Sequence, residues 1–335
     1  MWYFIYNSNL SVSEENYKVC VEKGIVALPE AKEGPRHDNV VDGLLSRLAG
    51  IKENDYVLMY VLKPAKSLRG VWQVDGCTFY EETSIWEDRL YPFRCRIKWS
   101  QYNFKNDLKL DNINDLRNMG KIWTWALSRS AGANSMFSIS NAEFAVLLTE
   151  FMKLNPFTRE KDIIMQPYPY RPSNVIDNLH FRNNNPKYES TIMALLNAEF
   201  SKGSYTNIFG NYTDYLCYVP TNLGTEMDFL LMFENPLLAG EVVSYDIIEV
   251  KRDEFNEDAL KQLIGYESWF LQKKVAGDSN MVRTTAIAKS YSEDVVQYVS
   301  QRKRIENKPI KLLQYYYENG TLRLVDIADT ICKMF

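Results

Sequence analysis

Five of the twelve prolines in this chain fall between residues 155 and 187: Pro156, Pro167, Pro169, Pro172 and Pro186. Proline removes a backbone donor and interrupts helices and sheet ladders alike. A stretch this dense, with the asparagine run at 183–185, reads as an extended connection. The chain has 335 residues, more than one hydrophobic core usually holds. Two domains are therefore expected, over residues 1–155 and 188–335, with a linker at 156–187. Hydrophobic residues make up 46% of the chain, ample for a core in each.

The sequence pattern differs on the two sides of that connection. The first hundred residues read mainly as strands: 2–6, 56–62 (YVLMYVL), 70–74 (GVWQV) and 91–99 (YPFRCRIKW), with turn signals such as Asp75-Gly76 between them. Residues 40–48 form a short helix pattern, and 111–153 read as helical, with Ser140-Asn141 placed to cap the last stretch. This predicts a small mixed β-barrel carrying helices. From Tyr188 onward helices (188–201, 258–273, 293–303) alternate with strands (227–233, 245–250, 282–288, 310–317). Such alternation predicts an α/β domain built on a mixed sheet.

Composition closes several routes. The only histidines are His37 and His180, so a zinc hydrolase site built on several histidines is excluded. The five cysteines are far apart, without a Cys-x-x-Cys pair, which fits neither a zinc cluster nor a disulfide framework but does fit a reducing cytoplasm. The N-terminus lacks a basic segment followed by an apolar run, and no stretch approaches the roughly 18 apolar residues of a membrane span. A soluble, cytoplasmic protein is expected. A net charge of −4 argues against a protein that coats nucleic acid, though not against a local basic groove.

The chemistry is concentrated on two strands. Residues 227–233 (MDFLLMF) carry Asp228, and residues 245–250 (YDIIEV) carry Glu249 near their end, with Lys251 two residues after it. Side chains two apart in a strand share a face, so Glu249 and Lys251 lie together. If the two strands pair as a hairpin through the connection 234–244, Asp228 falls beside Glu249. Two carboxylates so placed can share a hard cation. Magnesium keeps several of its waters, so two carboxylates and the Val250 carbonyl suffice, with manganese as the substitute metal. Lys251 would position or deprotonate an attacking water, or steady charge on a phosphate. A Glu-x-Lys triplet can equally be a solvated ion pair of little energetic weight. Against that, Asp228 sits among bulky apolar residues, where a carboxylate is costly unless it binds something. A following helix places Gln262 and Tyr266 on one face, four residues apart.

The series Asp228, Glu249-Val-Lys251 and Gln262-x-x-x-Tyr266 resembles the PD-(D/E)XK nuclease superfamily, in particular branches that include mismatch-specific endonucleases. The resemblance runs from about residue 188 to the end. It implies that Asp228, Glu249 and Lys251 are the metal and catalytic positions and that Gln262 and Tyr266 brace the site. It also implies that Glu189 is the acidic residue some members use as a further ligand or a support to the ligands. The family's proline before the aspartate is Met227 here, and the connection between the strands is longer than the minimal pattern. Glu226, on the same face as Asp228, is the alternative ligand.

The first 155 residues resemble the EVE domain, a relative of PUA and YTH folds that bind modified bases. The matching pieces are Trp2-Tyr3-Phe4 and residues 24–29 (GIVALP), 54–60 (NDYVLMY), 69–74 (RGVWQV) and 91–99. The resemblance implies an aromatic pocket for a base flipped out of its stack. Trp2, Tyr60, Trp72 and Trp86 are the candidate walls, or else ordinary core aromatics. Asp55 reads as a turn residue. Arg94, Arg96 and Lys98 alternate on one strand face, as phosphate contacts or as a solvated face. Residues 302–304 (RKR) read as a DNA contact or as cations at a helix end.

Together these readings describe a modification-dependent DNA restriction endonuclease, with DNA carrying modified bases as partner and a homodimer as the expected assembly. Two alternatives remain. One is a repair endonuclease acting on mismatched or damaged DNA. The other is a non-catalytic binder of modified nucleic acid.

Overall fold

The computed structural model describes residues 3–7, 13–29, 37–102, 104–124, 136–156, 165–166, 168–169, 174–221 and 224–327. The chain forms two compact units that divide after Leu179.

In the first unit the chain runs through β1 (Tyr3–Asn7), α1 (Ser13–Lys23), β2 (Ile25–Leu28), α2 (Asp38–Leu48), β3 (Tyr56–Val61), β4 (Ser67–Tyr80) and β5 (Phe93–Trp99). It continues through β6 (Leu108–Lys109), α3 (Leu110–Asn118), β7 (Met136–Ile139) and α4 (Asn141–Leu154). The sheet order is β2-β5-β4-β3-β1-β7, with β6 on β4. Only the β1–β3 pair is parallel. Among the described residues this path has two free ends, so the small mixed barrel expected takes the form of a half-barrel sheet. One face packs on a core that includes Leu58, Leu68, Val71, Phe137, Phe144 and Phe151.

Local sequence explains several of these choices. Ser140 accepts the Glu143 N–H while the Glu143 carboxylate returns to the Ser140 N–H, a capping box that starts α4. The β3–β4 ladder slips at Leu58/Met59, leaving Gly70 as the extra residue of a bulge. Gly70 has φ +68°, and a Cβ there would stand 2.9 Å from Trp72 Nε1, so a side chain is excluded on both grounds. The helical reading of 111–153 needs correction: α3 and α4 are separated by β7, a strand that pairs with β1. α1 shows little helical amphipathicity and escapes a periodicity reading.

The second unit opens with β8 (Phe181–Arg182) and β9 (Asn185–Pro186), a tight ribbon within the stretch read as linker. It continues with α5 (Glu189–Ser201), α6 (Thr206–Phe209), β10 (Asp214–Pro220), β11 (Glu226–Asn235), β12 (Leu238–Val250), β13 (Glu254–Phe255) and α7 (Glu257–Lys273). Then come β14 (Val282–Ala288), β15 (Ser290–Tyr291), α8 (Glu293–Glu306), β16 (Ile310–Glu318) and β17 (Thr321–Asp326). The main sheet order is β10-β11-β12-β14-β16-β17. Strands β12, β14 and β16 are parallel, as crossovers through α7 and α8 require. β10, β11 and β17 are antiparallel to their neighbours, which makes the sheet mixed.

The connection at 234–244 is shorter than the sequence suggests. β11 and β12 run on past Phe233 with two register shifts, and the turn itself lies near residue 236. Helices cover both faces of the sheet. Phe200 of α5 meets Phe229 on one, and Phe270 of α7 meets Tyr245 on the other. Among the described residues no helix is long and apolar enough to cross a membrane.

Candidate nuclease site

The site lies on the α7 face of the second sheet. The β11–β12 ladder pairs Phe229 with Ile248, and one further step sets Asp228 opposite Glu249. Tyr245, Ile247 and Glu249 alternate onto the face that α7 covers, and Lys251 follows in the same phase. Asp228 Oδ2 accepts a hydrogen bond of 2.7 Å from the Val250 N–H. Lys251 Nζ donates to Glu249 Oε1 at 2.7 Å and stands 3.6 Å from Glu189 Oε1, at the first residue of α5. Glu189, Asp228, Glu249 and Lys251 thus form one cluster, in which a single ammonium faces three carboxylates.

Burial sets the electrostatics. Glu249 is 1% exposed, and its Oε2 has no hydrogen-bond partner. Burial pushes its carboxyl up to about 7, although Lys251 opposes the shift. Asp228 keeps some contact with solvent. Its surroundings, and then the neighbouring Glu249, still raise its carboxyl well above the ordinary range. Burial alone would lower Lys251, but Glu249, Asp228 and Glu189 outweigh it and raise the ammonium instead. Lys251 is therefore a cation at neutral pH in this arrangement.

Whether the cluster fits a divalent cation depends on its donors. Among the described residues no three histidine, cysteine or acidic side chains already gather as a cation cage. The two carboxylates on β11 and β12 are nevertheless adjacent, and the Glu249 Oε2 acceptor is buried without a donor. A buried acceptor left that way costs stability unless something pairs with it. Because N–H and C=O of one residue point to the same side of a strand, the Val250 carbonyl also faces the Asp228 side. Two carboxylates and a carbonyl suit magnesium, which fills its remaining positions with water. These residues fit the ion.

Gln262 and Tyr266 occupy a different layer. Gln262 Nε2 donates to the Tyr266 hydroxyl at 2.7 Å, and that hydroxyl donates to the Glu226 carbonyl at 2.7 Å. They hold the backbone where β11 begins, two residues before Asp228. Glu226 enters this layer through its main chain. Two neighbours were not anticipated: Arg252, whose Nη1 donates to the Lys187 carbonyl at 2.6 Å, and Tyr315, whose hydroxyl donates to the Arg252 carbonyl. Both contacts join segments far apart in sequence, which leaves no local signal.

The first unit places its candidate pocket residues in the interior. Trp72 is 0% exposed and Tyr60 and Trp86 are each 2% exposed, so none presents an open face. Trp72 stacks on Trp99 at 4.0 Å, while Trp86 lies against Tyr91 at 4.9 Å. Tyr60 belongs to the main core cluster. Trp2 lies outside the described residues. Arg94 is fully buried, bound to Glu81 at 2.8 Å and to the Tyr91 carbonyl at 2.8 Å, so it contacts no phosphate. Arg96 is committed to Asp75 at 2.7 Å. Asp55 accepts the Lys52 N–H at 2.9 Å, as a turn residue does. Arg302 is also buried, paired with Glu267 at 2.7 Å, which removes it from any DNA-contacting face.

No known protein family matches the chain. No curated protein is similar to it. Several solved structures resemble parts of it, among them the following three. Rpa0253 from Rhodopseudomonas palustris is 12% identical with a TM-score of 0.32, over 46% of this chain and 96% of that one. The YTH domain-containing protein mmi1, solved with RNA, is 18% identical with a TM-score of 0.31, over 46% and 85%. EndoMS, solved with double-stranded DNA, is 17% identical with a TM-score of 0.24, over 35% of this chain and 44% of that one. Likenesses this distant assign no residue a role.

Proposed function

We propose that the second unit is a magnesium-dependent endonuclease domain acting through Asp228, Glu249 and Lys251. We further propose that the whole chain is a modification-dependent DNA restriction endonuclease, in which the first unit recognises the modified base. One observation carries the nuclease reading. Three charged side chains converge on one face of two central strands, and a buried Glu249 oxygen there lacks a partner.

Asp228, Glu249 and the Val250 carbonyl would hold the ion, magnesium or manganese. Bound there, it would supply charge neutralisation at a phosphodiester and a more acidic water. Lys251, 2.7 Å from Glu249, would stabilise negative charge on the phosphate or position the attacking water. Glu189, on the far side of Lys251, holds the ammonium between two acidic groups. Tyr266 and Gln262 fix the start of β11 and with it the reach of Asp228. Cutting both strands asks for two such sites, so the proposed active form is a homodimer.

A second reading keeps the nuclease and changes its target to mismatched or damaged DNA. The burial of Tyr60, Trp72 and Trp86 favours it, because the modified-base pocket then lacks open walls. Plasmid DNA with and without cytosine modification, incubated with the protein and magnesium, separates the two readings. Cutting of modified DNA alone supports restriction, and cutting of mismatched duplexes alone supports repair. Asp228→Ala and Lys251→Ala should each lower cleavage by at least about 100-fold while leaving DNA binding in place. Normal cutting by both variants would sink the nuclease site. Binding without cutting by the unaltered protein would leave the third reading, a non-catalytic binder.

A further inference from the structure

Beside the site stands a small exposed structure that the proposed chemistry does not use. β8 and β9 form a ribbon closed by Asn183 and Asn184, at φ 51° and 57°. Two consecutive residues of positive φ make the tight turn whose twist matches paired strands. Asn185 Nδ2 donates to the Asn183 carbonyl at 3.0 Å and stiffens it. Arg182, Asn183, Asn184 and Asn185 are all exposed.

The ribbon is anchored at its base. The Lys187 N–H donates to the His180 carbonyl at 3.1 Å and closes the two arms. Phe181 stacks on Tyr317 of β16, ring centres 5.0 Å apart. Arg252, the residue after Lys251, grips the Lys187 carbonyl. Because β12, β14 and β16 are parallel, Lys251 and Tyr317 both lie towards the same end of the sheet, the end where α/β sheets bind ligands. The ribbon therefore rises beside the cluster of Asp228, Glu249 and Lys251.

Its side chains match one kind of partner. A two-stranded ribbon fits the major groove of B-form DNA, where arginine pairs with guanine O6 and N7 and asparagine with adenine N6 and N7. Three residues per arm at about 3.3 Å each give a reach of roughly 10 Å from Lys187. That is about three base-pair steps at 3.4 Å per pair. We propose that the ribbon of residues 181–186 enters the major groove of duplex DNA beside the nuclease site, with Arg182, Asn183 and Asn184 touching base edges within about three pairs of the phosphate at Lys251. This rests on the nuclease reading for its register, but not for the contact itself.

The test uses the full chain carrying Asp228→Asn, bound to a labelled duplex of mixed sequence, with and without Arg182→Ala, Asn183→Gly and Asn184→Gly combined. Glycine accepts positive φ, so the turn persists. The readouts are affinity by fluorescence anisotropy over a salt series and protection of guanine N7 from dimethyl sulfate. The ribbon variant should bind roughly 10-fold more weakly. Its salt slope should fall by about one, and it should lose a patch of N7 protection. Unchanged affinity and protection would overturn the inference, as would a failure of either protein to bind duplex. So would a ribbon variant that only dissociates a dimer, seen by sedimentation, with protection intact. If the unaltered chain never cuts but the N7 patch still depends on the ribbon, the nuclease reading falls and this one stands. If it cuts and the ribbon variant cuts at the same positions with the same affinity, this one falls alone.

Discussion

Two of the buried charge clusters described in the second unit are built on different plans. At one, both oxygens of Glu267 are taken: Arg302 Nη2 contacts them at 2.8 and 2.7 Å, and Lys308 reaches Oε1 at 2.5 Å. Glu306 sits 3.2 Å from Arg302 Nε on the other side. At the other, one lysine contacts two carboxylates, Glu249 and Glu189, beside Asp228, and Glu249 Oε2 is left without a partner. The first, the closed one, pairs both oxygens of its central carboxylate and holds α7 against α8, although Arg302 Nη1 is buried there without an acceptor. The second, the open one, leaves a buried carboxylate oxygen without a donor, an arrangement that costs stability and that the proposed cation would relieve. The two are linked through consecutive residues of α7, since Tyr266 braces the strand that carries Asp228 while Glu267 locks the helix in place.

Breaking the closed cluster should have the largest effect on stability. Glu267→Ala strands Arg302 and Lys308 without their shared carboxylate, and loss of one partner from a buried pair costs about 3–5 kcal/mol. Thermal melting of the full chain should show the transition of the second unit falling steeply. The matching change in the open cluster, Glu249→Gln, should leave the metal-free protein as stable or more so, because it removes a charge that burial disfavours. Equal losses from both substitutions would erase the distinction.

The pH response should differ as well. Burial, the leading cause, raises Glu249 from its ordinary 4.5 to about 7. A carboxyl raised in the folded state binds its proton more tightly there than in the unfolded chain. Its contribution to stability is thus full below 4.5 and is lost as pH climbs through 7. Metal-free protein should therefore lose stability as pH rises from 4.5 to about 7, and Glu249→Gln should flatten that slope. An unchanged slope in the variant would remove Glu249 as the source.

The smallest effect belongs to the brace. Tyr266→Phe deletes the hydroxyl between Gln262 and the Glu226 carbonyl. Losing that hydrogen bond should cost about 1 kcal/mol of stability. A moderate fall in cleavage rate with unchanged DNA affinity would mark Tyr266 as a positioning residue. A loss as deep as that of Asp228→Ala would instead place it among the reacting groups.

What the sequence reveals about these clusters follows from the range of the interactions. Glu249 and Lys251 share a face by strand geometry alone, and Asp228 comes beside them once the neighbouring strands pair. Gln262 and Tyr266 meet because a helix brings residues four apart together. Other contacts have no local mark. Arg302 reads as part of a basic run, and its burial depends on Glu267, 35 residues away. Arg94 alternates with Arg96 as a surface strand would, but alternation does not say which face is inward. Here the inward face holds the arginine against Glu81. β10 and β7 are short strands whose pairing depends on distant partners, and the register shifts that carry β11 and β12 beyond Phe233 resemble a loop in one dimension. The exposed ribbon at 181–186 is hidden for a related reason: Pro186 and three asparagines look like a linker until the turn closes.

The central claim is that the open cluster binds a divalent cation, and calorimetric titration tests it most directly. Magnesium, or manganese where its affinity is higher, should be titrated into the full-length protein, the Asp228→Asn variant and the Glu249→Gln variant at pH 8. Saturable binding by the unaltered protein is expected, with a stabilisation of about 2.7 kcal/mol at 100 times the dissociation constant. Both variants should lose it. Binding of equal strength in all three proteins, or none in any, would contradict the account.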